Sequence, residues 1–204
     1  MESPPGTSER VTGRSVAKAS RRAALLGAAA RLFAERGYNG VSIEDLGAAA
    51  GVSGPAVYRH FSGKPAVLSA LLAGVSEELL DGGRAVVAQC QHPDSALRGL
   101  IEFQVDFALD NTHVIRVHDR DLGSLSRKDE RIVRSLQRTY LEVWVDVMAA
   151  REPEADLAVL RRKAHAVFGL INSTPHTTQR GTSGKDLASL RTLLEEMAWA
   201  AITV

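Results

Sequence analysis

The sequence predicts an all-α protein of about nine helices: an N-terminal helix-turn-helix domain of three helices, followed by a larger helical body. Three observations carry this. Apolar residues recur at three- and four-residue spacing along most of the chain. No stretch shows strand alternation or an internal repeat. Breakers at Gly37, Gly51, Ser62-Gly63, Gln91-His92-Pro93, Asp110-Asn111 and Glu152-Pro153 cut the pattern into helix-sized pieces.

The elements follow in order. Residues 1–19 hold Pro4, Pro5, Gly6 and Gly13 with almost no large apolar side chain, and read as a disordered basic arm. From Ser20 a helix carries Leu25, Ala29, Leu32 and Phe33 and stops at Gly37. A second opens at Ser42, an N-cap with Asp45 in the capping-box position, buries Ile43, Leu46 and Ala50, and ends at Gly51. A third opens at Ser53 with Pro55 in its first turn and continues through Val57, Tyr58 and Phe61. A fourth starts at Lys64. Further helices are expected over residues 94–109, along the stripe Ile132, Leu136, Tyr140, Val143, Trp144 and Val147, and from Leu157 to Ile171. Residues 113–126 form a short segment without a clear pattern. Pro175 to Gly184 reads as a loop before a last helix.

Composition narrows the function classes. With 204 residues, 45% hydrophobic and 24% charged, the chain can bury a core. The longest uncharged run, residues 164–179, holds two His, an Asn, a Ser and three Thr, too polar for a membrane span. The first twenty residues lack the apolar core of a secretory signal. Cys90 stands alone, so neither an internal disulfide nor a thiolate metal site is expected. These point to a soluble, cytoplasmic protein. The net charge is only +1, but residues 1–65 carry nine Lys/Arg against five Asp/Glu, out of totals of 25 and 24. A basic front on an acidic body suits a polyanion-binding module. A DNA-compacting protein would need far more positive charge.

Residues Ser42 to Phe61, SIEDLGAAAGVSGPAVYRHF, have the layout of a helix-turn-helix. Gly47, Ala48, Ala49 and Ala50 are small where two helices cross. Gly51 tolerates positive φ at the turn. Val52, Val57 and Phe61 lock the second helix down. That helix can then enter a DNA major groove.

The wider stretch resembles the N-terminal domain of the TetR family of bacterial regulators over about residues 20–72. The resemblance rests on LFAERGY before the motif, Ser42, GVS at the turn, and VYRHFSGKPAVL after it. It implies a DNA-binding domain over 20–65 and an effector-binding, dimerising domain over 66–204. It also implies a transcriptional regulator: a repressor that a small, largely apolar molecule releases from a palindromic double-stranded operator, or an activator of the same fold. In that pattern Ser42 contacts a phosphate, and it also serves as a cap. Tyr58 packs on sugar and phosphate, His60 contacts a phosphate, and Lys64 anchors the backbone. Ser53, Gly54, Pro55 and Ala56 open the recognition helix. Pro55 and Ala56 can touch a thymine methyl, and Arg59 can reach guanine or phosphate. Arg10, Arg14, Lys18, Arg21 and Arg22 either follow DNA or stay solvated.

In the body, Leu187, Leu190, Leu194, Met197 and Ala201 are spaced 3, 4, 3, 4, an a/d seam that wants a partner. Leu157, Leu160 and Ala164, with Val167 and Ile171, give a second. Two from each chain make a four-helix homodimer interface, unless both stripes pack within one chain. Candidate ligand-binding residues are the aromatics Phe103, Phe107, Tyr140, Trp144 and Phe168, which are otherwise core. To these are added His118, Asn172 and His176, polar groups amid apolar runs. No cofactor is expected. His113, His118 and Asp119 do not share a helix face, so no metal is expected. No G-x-S-x-G, phosphate loop or H-E-x-x-H supports an enzyme.

Overall fold

The computed structural model describes the backbone of residues 8–174 and 184–204 and the side chains of residues 15–174 and 184–204. Among these there are nine α-helices and no strand: α1 (Ser8–Arg36), α2 (Ile43–Ala49), α3 (Gly54–Val57), α4 (Lys64–Ala88), α5 (Pro93–Asp110), α6 (Thr112–Asp121), α7 (Arg127–Arg151), α8 (Leu157–Ile171) and α9 (Gly184–Thr203). A 3-10 turn, Leu122–Ser124, follows α6, so most of the patternless segment 113–126 is helical. The expected loop from Pro175 lies outside the described residues.

The chain divides into two units, with the boundary between Leu71 and Leu72 rather than after residue 65. The first turns of α4, with Val67 and Leu68 buried, belong to the first unit. That unit closes over Leu25, Phe33, Leu46 and Val57, each at most 1% exposed. Two glycines matter here. Gly51 turns the chain at φ 69°. A β-carbon on Gly47 would stand 2.8 Å from the Val52 carbonyl oxygen, so α2 and α3 cross only because that position is bare.

The expected arm is corrected from Ser8 onward, its first seven residues lying outside the described ones. Helix α1 begins at Ser8, and residues 15–24 are all exposed. Residues 14–24 contain no proline or glycine and are rich in Ala, Arg and Lys, so propensity extends the helix beyond its packed part.

In the second unit α5 packs on α7 and α9, and α8 packs on the same two helices. Ser126 caps α7 by accepting from the Asp129 N–H at 3.1 Å, and Asp156 caps α8 by accepting from Ala158 at 2.7 Å. The core holds Leu97, Leu100, Trp144, Leu160, Val167, Ile171 and Ile202.

The two expected dimer stripes are partly corrected. Leu160 and Ala164 are fully buried inside the chain, and Leu194 is 5% exposed. The inward stripe of α9 runs Leu190, Leu194, Ala198 and Ile202, one residue every four, rather than 3-4-3-4. That rotation leaves Met197 and Ala201 facing solvent, with Leu187 half-buried. Leu157, Val159 and Leu193 are exposed too.

Candidate nucleic-acid interface and ligand cavity

The helix-turn-helix is built by its caps. Ser42 Oγ accepts from the Asp45 N–H at 3.0 Å, and Asp45 Oδ2 accepts from the Ser42 N–H at 2.8 Å. The Ser42 hydroxyl proton goes to the same carboxylate at 2.7 Å. Ser42 is exposed but fully engaged as a cap, so a phosphate would have to displace Asp45. The Ser42 amide, then its hydroxyl, then Arg36 hold the Asp45 carboxyl below its ordinary range.

Helix α3 is only four residues long, and tighter i→i−3 bonds carry the chain on: Arg59 N–H to Ala56 O at 3.2 Å and His60 N–H to Val57 O at 2.9 Å. Val57 is fully buried, which turns Tyr58 outward at 58% exposure with Arg59 beside it. Ser53 and Pro55 are also exposed, while Gly54, Ala56 and His60 are half-buried. Ser53 makes no capping bond with its side chain. The Nδ1 of His60 is buried without a hydrogen-bond partner. Lys64 is half-buried: its ammonium donates to Tyr38 O at 2.9 Å and stands 4.4 Å from the centre of that ring. Arg22 lies 5.2 Å from the ring centre of Phe61. Tyr58, Arg59 and Ser53 are thus left exposed around α3, with Ser42 at a neighbouring helix start and Lys64 tied into the domain.

The second unit holds a cavity of about 370 Å³, lined by Leu79 of α4, Gln104 of α5, His118 of α6, Arg134, Gln137, Arg138, Tyr140 and Leu141 of α7, and His165, Phe168 and Asn172 of α8. A smaller one of about 80 Å³ shares Leu79, Gln104, His118, Gln137 and Asn172 with it and reaches Phe107. Two polar chains cross these walls. Tyr140 Oη donates to Gln104 Oε1 at 3.0 Å, and Gln104 Nε2 donates to Asn172 Oδ1 at 3.2 Å. His118 meets Gln137 through Nε2 at 2.6 Å and Asp119 through Nδ1 at 3.4 Å. Burial pushes the Tyr140 phenol far up, so it stays a donor.

Of the expected ligand residues, Tyr140, Phe168, Asn172 and His118 line the larger cavity, and Phe107 lines the smaller. Two are corrected. Trp144 is fully buried behind the wall, 5.0 Å from the Phe168 ring centre. Phe103 covers the bare backbone of Gly82, where a β-carbon would collide with its ring. His176 lies outside the described residues. Gln104, Gln137, Arg134, Arg138 and His165 join the wall without having been expected from the sequence. Gln104 had a signal, a polar residue between Phe103 and Val105 in an apolar run. The basic residues look like ordinary solvated positions in the sequence. Among the described residues no group of three metal-ligating side chains converges, and no helix is long and apolar enough to cross a membrane.

The family profile described as bacterial regulatory proteins, tetR family, matches residues 25–71. The chain is 28% identical over 135 residues to the HTH-type transcriptional repressor KstR2 of Rhodococcus jostii (strain RHA1), an alignment covering 65% of this chain and 66% of that one. It is 30% identical over 132 residues to KstR2 of Mycobacterium tuberculosis (strain CDC 1551 / Oshkosh), covering 63% and 65%. These alignments span just under two thirds of the curated relatives' length. A crystal structure of a TetR-family transcriptional regulator from Bordetella parapertussis 12822 superimposes with a TM-score of 0.76 at 22% identity, covering 87% of this chain and 93% of that one. The profile match falls on the helix-turn-helix and its flanking helices, and the structural likeness runs through the body as well: residues 25–71 match the tetR family of bacterial regulatory proteins, and the fold of the chain is similar to that of the Bordetella regulator.

Proposed function

We propose that this protein is a ligand-responsive DNA-binding transcriptional regulator, a repressor that leaves a palindromic operator when a small, largely apolar molecule fills the cavity of its second unit. The observation that carries it is Tyr58, a large aromatic held 58% exposed by the burial of its neighbour Val57. An aromatic turned to solvent beside Arg59 on a helix-turn-helix fits sugar and phosphate. The KstR2 relatives are named repressors, which favours repression over activation. They are also regulators rather than enzymes, and this chain is read likewise, acting on cytoplasmic DNA with no cofactor.

The working species is a homodimer, since a palindrome needs two recognition helices. Leu157 and Val159 on α8 and Leu193, Met197 and Ala201 on α9 supply the exposed apolar face. Ligand acts only through different affinity for DNA-competent and incompetent states. Helix α4 is the natural lever, because it continues from the recognition helix into the second unit. The test is selection of bound genomic fragments followed by footprinting. A protected palindrome, lost in Tyr58→Ala protein that keeps its fold, supports the reading. Equal protection by wild type and variant rejects it.

A further inference from the structure

We infer that the effector is an amphipathic organic anion, its acidic head at Arg138 and His165 and its apolar body against Leu141 and Phe168. The inference deepens the regulatory reading above and rests on it for what binding does to DNA, though not for the binding itself.

The wall of the larger cavity is asymmetric in charge. It contains two arginines and two histidines and no carboxylate. Asp119 borders only the smaller cavity and already faces His118 at 3.4 Å. Arg134 is held by Glu130 at 2.8 Å, one helical turn away. Arg138 has no ion-pair or hydrogen-bond partner among the described residues, so its guanidinium is the cation left to answer a ligand.

Position follows from the α7–α8 pairing. Glu142 of α7 takes Arg161 of α8 through two bonds of 2.7 and 2.8 Å. One turn along each helix from that pair stand Arg138 and His165, so the two basic side chains share a level at the rim. Glu142 is the acid close to His165, and its two oxygens are occupied by Arg161. Deeper, the wall becomes Leu141, Phe168, Tyr140 and Leu79, with the amides of Gln104 and Asn172 bonded to each other. An uncharged ligand would leave Arg138 unanswered. A cation would face the guanidinium of Arg138 with no carboxylate in the wall, since Glu130, Asp119 and Glu142 lie outside it and each already meets a basic side chain. An anion with an apolar tail satisfies both ends. Carboxylate and phosphate share this chemistry.

The test is calorimetric titration of the DNA-free protein with octanoate, octyl phosphate, octanol and octylammonium at fixed ionic strength. Octanoate or octyl phosphate should bind at least about tenfold more tightly than octanol, as expected for one charge-assisted contact. Which of the two binds more tightly identifies the headgroup. Arg138→Gln, a change at an exposed residue, should remove that preference while leaving octanol binding and the circular dichroism unchanged. Octanol or octylammonium binding as tightly as both anions overturns the inference. So does an absence of binding by every probe, or an anion preference that survives in Arg138→Gln. Failure of the regulatory reading looks different: anions bind as expected, yet a footprinted operator is held with the same affinity in their presence.

Discussion

The ring of Phe168 lies on that of Tyr140, centroids 5.6 Å apart and planes 8° from parallel, and both rings line the cavity. Trp144 meets them edge-on, 6.4 Å from Tyr140 and 5.0 Å from Phe168. A ligand that moves Phe168 therefore changes the surroundings of a fully buried indole. In a Trp199→Phe protein, the emission of Trp144 should shift on adding the effector. An unchanged spectrum at saturation, with binding proven by calorimetry, would remove the cavity from this part of the body.

The same geometry makes Trp144 a poor target for truncation. Trp144→Ala should lower stability by about 3–5 kcal/mol, because it empties a buried indole's volume beside two other rings. Urea unfolding checks this. Phe168→Ala, at a half-buried position, should cost less and should weaken effector binding more. Equal costs for the two would show that Phe168 is core rather than wall.

Dimerisation should respond to the outward face of α9 and not to its inward one. Met197 and Leu193 are 45% and 51% exposed, whereas Leu194 is 5% exposed. Met197→Glu should give a folded monomer by sedimentation and circular dichroism, since the carboxylate replaces apolar contact with a second chain. Leu194→Glu should instead unfold the body, leaving a charge without a partner among Leu190, Ala198 and Ile202. A dimeric Met197→Glu protein would place the interface elsewhere.

DNA binding separates the roles of Tyr58 and Lys64. Tyr58→Ala should weaken operator binding and leave the melting temperature within about a degree or two, because an exposed side chain carries little stability. Lys64→Ala should lower both, since its ammonium also holds the Tyr38 carbonyl and ring. Removing one lysine that neutralises a phosphate should reduce the slope of log affinity against log salt by about 0.9. An unaltered slope in Lys64→Ala would confine that lysine to its structural bond with Tyr38.

What the sequence made legible follows local physics. The capping box at Ser42, the turn at Gly51 and the crossing at Gly47 are decided by neighbours within a few residues, and the structure has all three. The face of α9 that turns inward is decided by α5 and α8, far away in sequence, so the 3-4-3-4 spacing could not separate buried Leu194 from exposed Met197 and Ala201. The cavity-lining residues divide the same way. Tyr140, Phe168 and Asn172 announced themselves by chemistry and spacing. Arg138 and His165 matter only because two helices pair at Glu142 and Arg161, which no local pattern encodes. Trp144 and Phe103 share the periodicity of wall residues, but one belongs to the core and the other to the bare backbone of Gly82.

Acid should loosen the start of α2. Asp45 accepts from the Ser42 amide and hydroxyl there, and these bonds, aided by Arg36, lower its carboxyl from the usual 3.8. A carboxyl that titrates lower when folded binds fewer protons in the native state than in the unfolded one. Its stabilising contribution is therefore complete above the unfolded value and fades as pH falls through the folded one. Asp45→Asn should destabilise the protein by the same amount at pH 6 and pH 8, and the gap to wild type should begin to close below about pH 4 and vanish only below the lowered folded value, where both side chains are neutral. Ser42→Ala should cost about 1 kcal/mol at neutral pH through the lost cap. Combined with Asp45→Asn it should cost less, because the reciprocal partner is already altered. The measurement is urea unfolding of single and double variants across pH. A gap between wild type and Asp45→Asn that stays constant down to pH 3 would show that the carboxylate is not what holds the start of α2.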